Sequence, residues 1–328
     1  MVLVALGAGA IALQIMGPPA PTVSAASAPA QGPVATASPV ARPVAAASPV
    51  ARSASVIQSL DSGAIRPPDP ALLEPTADPA VLLPRIAADG RTPMQMYAAP
   101  FDPADKRPRI GLLFDGFGLA QDDSRDAINT LPPGVTLAFS PYSAQPEALL
   151  AAARARGHEY LLSIPMESQG YPLNDAGDHS LLTGADPAAN AKNLTWALGR
   201  IEGYVGATGA LDGLRGERFA EATASFSGVR SVLLARGLLY IDPRPGAPSS
   251  PGMRAVDLVV DEPATRGDID DKLARLEAIA REHGSALGLA GPLRPVTVVH
   301  VAAWARALDT RGLALAPVSA LVPLKEDP

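Results

Sequence analysis

Three carboxylates in this chain follow short apolar runs and have the side-chain type for chemistry. Asp115 ends the run in IGLLFDGFGL, Glu167 lies in SIPMES and Asp242 in YIDPRP. In such positions a carboxylate serves as general acid, general base or ligand for a hard divalent cation. It serves equally well capping the next helix or pairing with an arginine such as Arg218 or Arg244. Tyr142 (FSPYS) and Met166 (SIPMES) sit at comparable places and would line a shared pocket with them. Nitrogen ligands are scarce by comparison. Of the four histidines, His158 precedes an apolar run, His283 closes a helical stretch and His300 lies inside another, which leaves His179 in a loop. No HxxxH or HExxH spacing occurs, and no GxSxG, GxGxxG or Walker pattern follows a strand-like run. Cysteine is absent, which excludes disulfides and Cys-ligated zinc.

The elements that would hold these residues are short, nearly continuous apolar strands alternating with amphipathic helices. Strands are expected at residues 110–114, 135–139, 160–164, 204–208, 238–241, 258–260, 286–289 and 313–316. Residues 187–201 read as a helix with Asp186 as N-cap and Pro187 at the first position. Residues 269–283 read as a second, with Glu277 and Arg281 paired four apart and Gly284 as its stop. Residues 296–308 read as a third. This alternation implies a parallel sheet covered on both faces, and seven or eight such units favour a (β/α) barrel over an open sheet. In that architecture the loops after the strands converge, so Asp115, Glu167 and Asp242 would meet at one rim.

Hydrophobic residues make up 47% of the chain and aromatic ones 4%, so the core must be aliphatic. The net charge is −6 with no basic block, which argues against nucleic acid as a partner. Residues 1–16 (MVLVALGAGAIALQIM) carry no charge and read as a signal or membrane-anchor segment, although shorter than the ~20 residues of a spanning helix. Export follows as the expectation: a periplasmic protein, tethered to the inner membrane or secreted. Residues 17–108 are expected to form a disordered Ala/Pro-rich linker, with ASPVAR repeated at 37–42 and 47–52. Residues 109–328 would be the barrel domain.

Five segments together resemble the divergent polysaccharide deacetylases, relatives of the NodB-type carbohydrate esterases. They are IGLLFDGFGL, GHEYLLSIPMES, NLTWALGRIEGYVGATG, GLLYIDPR and RGLALAPVSAL. The resemblance implies a distorted (β/α)7 barrel and a role in carbohydrate metabolism at the cell envelope. It gives Asp115 the general-base position. It also exposes departures: Gly116 stands where relatives carry a second aspartate that binds metal, and Ser163 where many have histidine. Residues 209–219 lack the family's histidine, and Ala290-Gly291-Pro292 replaces Gly-His-Pro. Asp242, Arg244 and Pro165–Glu167 match.

The expectation is therefore a protein that binds or processes an envelope polysaccharide or peptidoglycan fragment without the usual metal site. Asp115, Glu167 and Asp242 would be its catalytic carboxylates, and Tyr142, Met166, Arg218 and Arg244 its substrate-binding residues. No cofactor is expected; a carboxylate-only Mg²⁺ or Ca²⁺ site from the three acids is the weaker alternative. Two other functions stay open: an esterase or glycosidase using Asp115 with other carboxylates, and a non-enzymatic interaction module.

Overall fold

A computed structural model describes residues 63–323. The apolar segment at residues 1–16 and the ASPVAR repeats fall outside them. The elements run β1 (Leu73–Pro75), β2 (Leu82–Pro84), α1 (Pro93–Met96), β3 (Arg109–Phe117), α2 (Gln121–Thr130), β4 (Thr136–Phe139), α3 (Glu147–Ala155) and β5 (Tyr160–Ser163). They continue through α4 (Pro187–Leu198), β6 (Gly206–Thr208), α5 (Glu217–Glu221), α6 (Thr223–Ala235), β7 (Leu239–Asp242), β8 (Met253–Ala255) and β9 (Leu258–Val259). The last are α7 (Arg266–His283), β10 (Ser285–Ala290), α8 (Pro295–Ala307) and β11 (Ala314–Leu315).

Eight parallel strands form one sheet in the order β8-β7-β6-β5-β4-β3-β10-β9. β11 joins the start of β3 at Arg109–Ile110, and β4 pairs β3 from Leu113 onward. Among the described residues β8 and β9 share no ladder, so the expected distorted barrel stays open at that seam. The helix caps follow the local sequence. The Asp186 carboxylate accepts from the Ala188 amide at 2.7 Å, and Gly284 stops α7 at φ +79°. The strand β8 was not anticipated, because three residues with one half-buried arginine show no apolar run.

Alternation along the strands creates two apolar layers. Leu112, Phe114, Leu162, Tyr240 and the helix residues Leu233 and Leu276 form the layer between sheet and helices. Leu113, Leu161, Ile241, Leu287 and Leu289 fill the barrel interior. Residues before β3 reach that interior as well: Ile65, Leu72, Ala87, Tyr97 and Ala99 are all buried there. The linker expectation is therefore corrected for residues 63–108, which carry β1, β2 and α1 and pack as part of the barrel. Composition misleads here because the large apolar residues are few and interrupted by prolines, yet Ile65, Leu72, Leu83 and Tyr97 among them are buried in the core.

Glu159 ties these pieces together. This buried carboxylate accepts from the Ala99 amide at 3.0 Å, the Thr136 hydroxyl at 3.0 Å, the Ser319 amide at 3.0 Å and the Ser319 hydroxyl at 2.5 Å. One side chain thus joins the N-terminal strap, β4 and the C-terminal turn. Replacing it with alanine strands four donors, of which the buried Ala99 amide and Thr136 hydroxyl cost ~1–3 kcal/mol each. Glu159→Ala should lower the urea unfolding free energy by about 3 kcal/mol or more, whereas a loss below about 1 kcal/mol would show that the strap is held otherwise.

Candidate functional site

Leu113 and Asp115 share the inward face of β3, so the strand carries its carboxylate into the mouth of the barrel. Asp115 is only 2% exposed. Its neighbour Gly116 has φ +96°, and a Cβ there would lie 3.0 Å from the Leu293 nitrogen and 3.3 Å from the Pro292 Cα. The place where relatives carry a second aspartate is thus filled by the backbone of residues 292–293. A side chain at position 116 and this close approach of the loop exclude one another.

A small hairpin covers the mouth from the other side. Leu211 and Leu214 exchange backbone hydrogen bonds of 2.8 and 2.9 Å around Asp212-Gly213. Both central residues have positive φ, +50° and +86°, as a two-residue type I′ turn requires, and Asp-Gly is among the sequences that tolerate it. The tip amide of Gly213 donates to Asp115 Oδ2 at 3.1 Å, while Asp115 Oδ1 is buried without any partner. Arg215 holds the hairpin sideways to Glu262, beyond β9, at 2.6 Å and to Glu217 at 3.3 Å. Asp261 fixes the facing loop, accepting from the Gly291 amide and from the Thr297 hydroxyl at 3.1 Å.

Burial raises the Asp115 carboxyl to about 7. The amides of Gly213 and Gly116 oppose this, and the nearby charge of Asp212 adds to it. A carboxyl balanced near neutrality exchanges a proton readily at physiological pH, the property a general acid or base needs.

The other two acids behave differently. Glu167 is buried, accepts from the Thr183 amide and hydroxyl at 2.5 and 2.7 Å, and pairs with the Arg218 Nε at 3.0 Å. Arg218 stays half exposed, and both border a 460 Å³ groove with Tyr171, Pro172 and Leu182. Asp242 has the parity of Tyr240, facing the helix layer, and takes both Nε and Nη2 of Arg244 at 3.0 and 2.7 Å. Arg244 in turn lies over the Phe226 ring of α6 at 5.7 Å. Met166 is buried beneath the hairpin stem at Gly216 and near the Tyr240 hydroxyl, so it is packing and does not line an open pocket. Tyr142 belongs to a separate aromatic cluster: its hydroxyl accepts from the His179 amide at 3.2 Å, and His179 stacks on Trp196 at 3.7 Å. No single rim therefore gathers the seven residues. Gly213, Arg215, Glu262 and Asp261 stand closest to Asp115 in function, and the Asp-Gly pair within ALDGLRGERF was the one signal that could have singled out the hairpin.

The metal implied by the resemblance does not fit these residues. No group of three or more His, Cys, Asp or Glu side chains among the described residues is arranged to hold an ion. His158 lies buried with its Nδ1 2.9 Å from the Val135 carbonyl, before β5, and His300 sits on α8 against Asp270. Ser163, in the place of a histidine, has a buried hydroxyl with no partner. The carboxylate-only alternative fails as well, because Glu167 and Asp242 are committed to arginines and form no ligand group with Asp115.

The raised Asp115 carboxyl makes stability depend on pH. Between the unfolded value near 3.8 and the folded value near 7 the native state holds a proton that the unfolded chain has released. Stability contributed by the neutral form is complete below about pH 4 and is lost as pH rises through 7, a difference on the order of 4 kcal/mol. Asp115→Asn keeps an acceptor for Gly213 and removes the ionisation. Its urea midpoint should match wild type at pH 4 and exceed it at pH 8; equal midpoints at both would contradict the shift.

Comparison with known proteins gives the family. The model for the divergent polysaccharide deacetylases matches residues 112–322. An uncharacterized protein from Agrobacterium tumefaciens C58, known from its crystal structure, is 33% identical with a TM-score of 0.68, over 74% of this chain and 100% of that one. A family 4 carbohydrate esterase from Streptomyces lividans in complex with acetate is 14% identical, TM-score 0.42, over 67% of this chain and 100% of that one. The catalytic domain of a peptidoglycan N-acetylglucosamine deacetylase from Eubacterium rectale ATCC 33656 is likewise 14% identical, TM-score 0.43, over 70% and 95%. The search of curated proteins finds no match. With the family match spanning the barrel from β3 to the C-terminal turn, the chain belongs to the divergent polysaccharide deacetylases.

Proposed function

We propose that this chain recognises a cell-envelope glycan, a polysaccharide or peptidoglycan fragment, at the mouth of its barrel, and that Asp115 is the contact residue. The observation that carries the reading is the unpartnered Oδ1 of a buried carboxyl whose other oxygen is already hydrogen-bonded. An orphaned acceptor of this kind is costly to leave empty and is satisfied by a sugar hydroxyl or amide. Family membership supplies the carbohydrate class. On this reading the chain works outside the cytoplasm, taken there by the uncharged segment at residues 1–16.

A second reading has one observation in its favour. With its carboxyl near 7, Asp115 is matched to general-base work, so a metal-independent esterase is the enzymatic form of the same site. A glycosidase using Glu167 or Asp242 as its second acid is disfavoured, since both are locked in arginine pairs.

Calorimetric titration of the full chain with peptidoglycan fragments and N-acetylglucosamine oligomers, alongside an acetate-release assay with and without chelator, tests this. Saturable binding that weakens about tenfold or more in Asp115→Ala is expected, equivalent to ~1.4 kcal/mol. Any acetate release should be indifferent to the chelator. No binding to any fragment, or release abolished by chelation, would overturn the proposal.

A further inference from the structure

In the structure Asp115 faces the closed hairpin rather than an open mouth. We infer that the Leu211–Leu214 hairpin is a removable cap, latched by Arg215 on Glu262, whose Gly213 amide stands in the place of a ligand's hydrogen-bond donor over Asp115. The inference rests on the reading that Asp115 meets the ligand.

Three features support it. The hairpin is preformed: its two backbone bonds and its Asp-Gly turn are internal, so it can move as a unit without unravelling. The stem is anchored by the buried Leu211, but the tip is held outward only by the Gly213 amide on Asp115, the Arg215 pairs with Glu262 and Glu217, and the packing of Gly213 on Pro292. Segments held by few buried contacts open at low free energy, without global unfolding. Gly209 and Gly216 flank the stems, and such small residues readily absorb the backbone rotation of a hinge.

The same geometry names the ligand class. The group that now satisfies Asp115 is an uncharged N–H donor. Around it lie Asp115, Asp212, Glu217, Glu262 and Asp261, against the cations Arg215, Arg294 on Asp261 and Lys272 on the Glu262 carbonyl, an excess of acids. Opening the cap exposes an acidic mouth, which repels uronates and other anionic sugars. It accepts neutral hydroxyl and acetamido groups or amino sugars.

Amide hydrogen exchange read by NMR on the full chain tests the cap before any ligand is added. In Glu262→Gln the Gly213 amide should exchange about fivefold faster than in wild type, with the internally bonded Leu211 and Leu214 amides and those of β3 and β10 unchanged. Gly213→Ala, which strains a residue at φ +86°, should do the same by an independent route. Adding N-acetylglucosamine tetramer should release the Gly213 amide in wild type, while a glucuronate-containing oligomer should have no effect. A Gly213 amide that exchanges only together with β3, or tetramer binding with Gly213 still protected, would overturn the cap. A tetramer that binds no variant at all, with the latch variants still opening, would instead overturn the glycan reading and leave the cap standing.

Discussion

One hydrogen bond, from the Gly213 amide to the Asp115 carboxyl, organises the functional end of this molecule. A buried carboxylate is expensive to ionise, and among the described residues no arginine or metal ligand set pairs with Asp115. The protein meets that constraint with backbone. A type I′ hairpin brings one amide to one oxygen, and the loop at residues 291–293, held by Asp261, closes over the strand end. The hairpin covers Asp115 from one side, and Gly116 lets the backbone of residues 292–293 close on it from the other.

The two remaining acids show what the alternative looks like. Glu167 and Asp242 are as buried as Asp115, but each meets a guanidinium with good geometry and further donors. Asp242 is neutralised within its own loop by Arg244 and Glu167 across to α5 by Arg218, so both are held in fixed pairs. Arg218, half exposed at the rim of a groove, is the member of these pairs still able to meet a ligand.

Much of this architecture was written locally. The helix beginning at Pro187, its Asp186 cap, the Gly284 stop and the strands that carry Asp115 and Asp242 follow from periodicity and capping chemistry. Residues 63–108 were unreadable because their binding to the core depends on single residues such as Leu72 and Tyr97 meeting a barrel far along the chain. The site was legible residue by residue and illegible as a constellation. Sequence identifies an aspartate after a strand, but whether it faces inward, as Asp115 does, or toward the helices, as Asp242 does, depends on strand parity at the last residue. The Asp212-Gly213 turn was visible as a dipeptide; its landing on Asp115, 98 positions away in sequence, was not.

The central claim is that a buried, uncompensated Asp115 sits in equilibrium between its acid and its base at neutral pH beneath the hairpin. Carbon-13 NMR titration of the Asp115 carboxyl in the full chain measures this directly. The account predicts a midpoint near pH 7 that falls toward the ordinary aspartate value when Gly213→Ala opens the cap. A wild-type midpoint close to pH 4, unchanged in that variant, would contradict it.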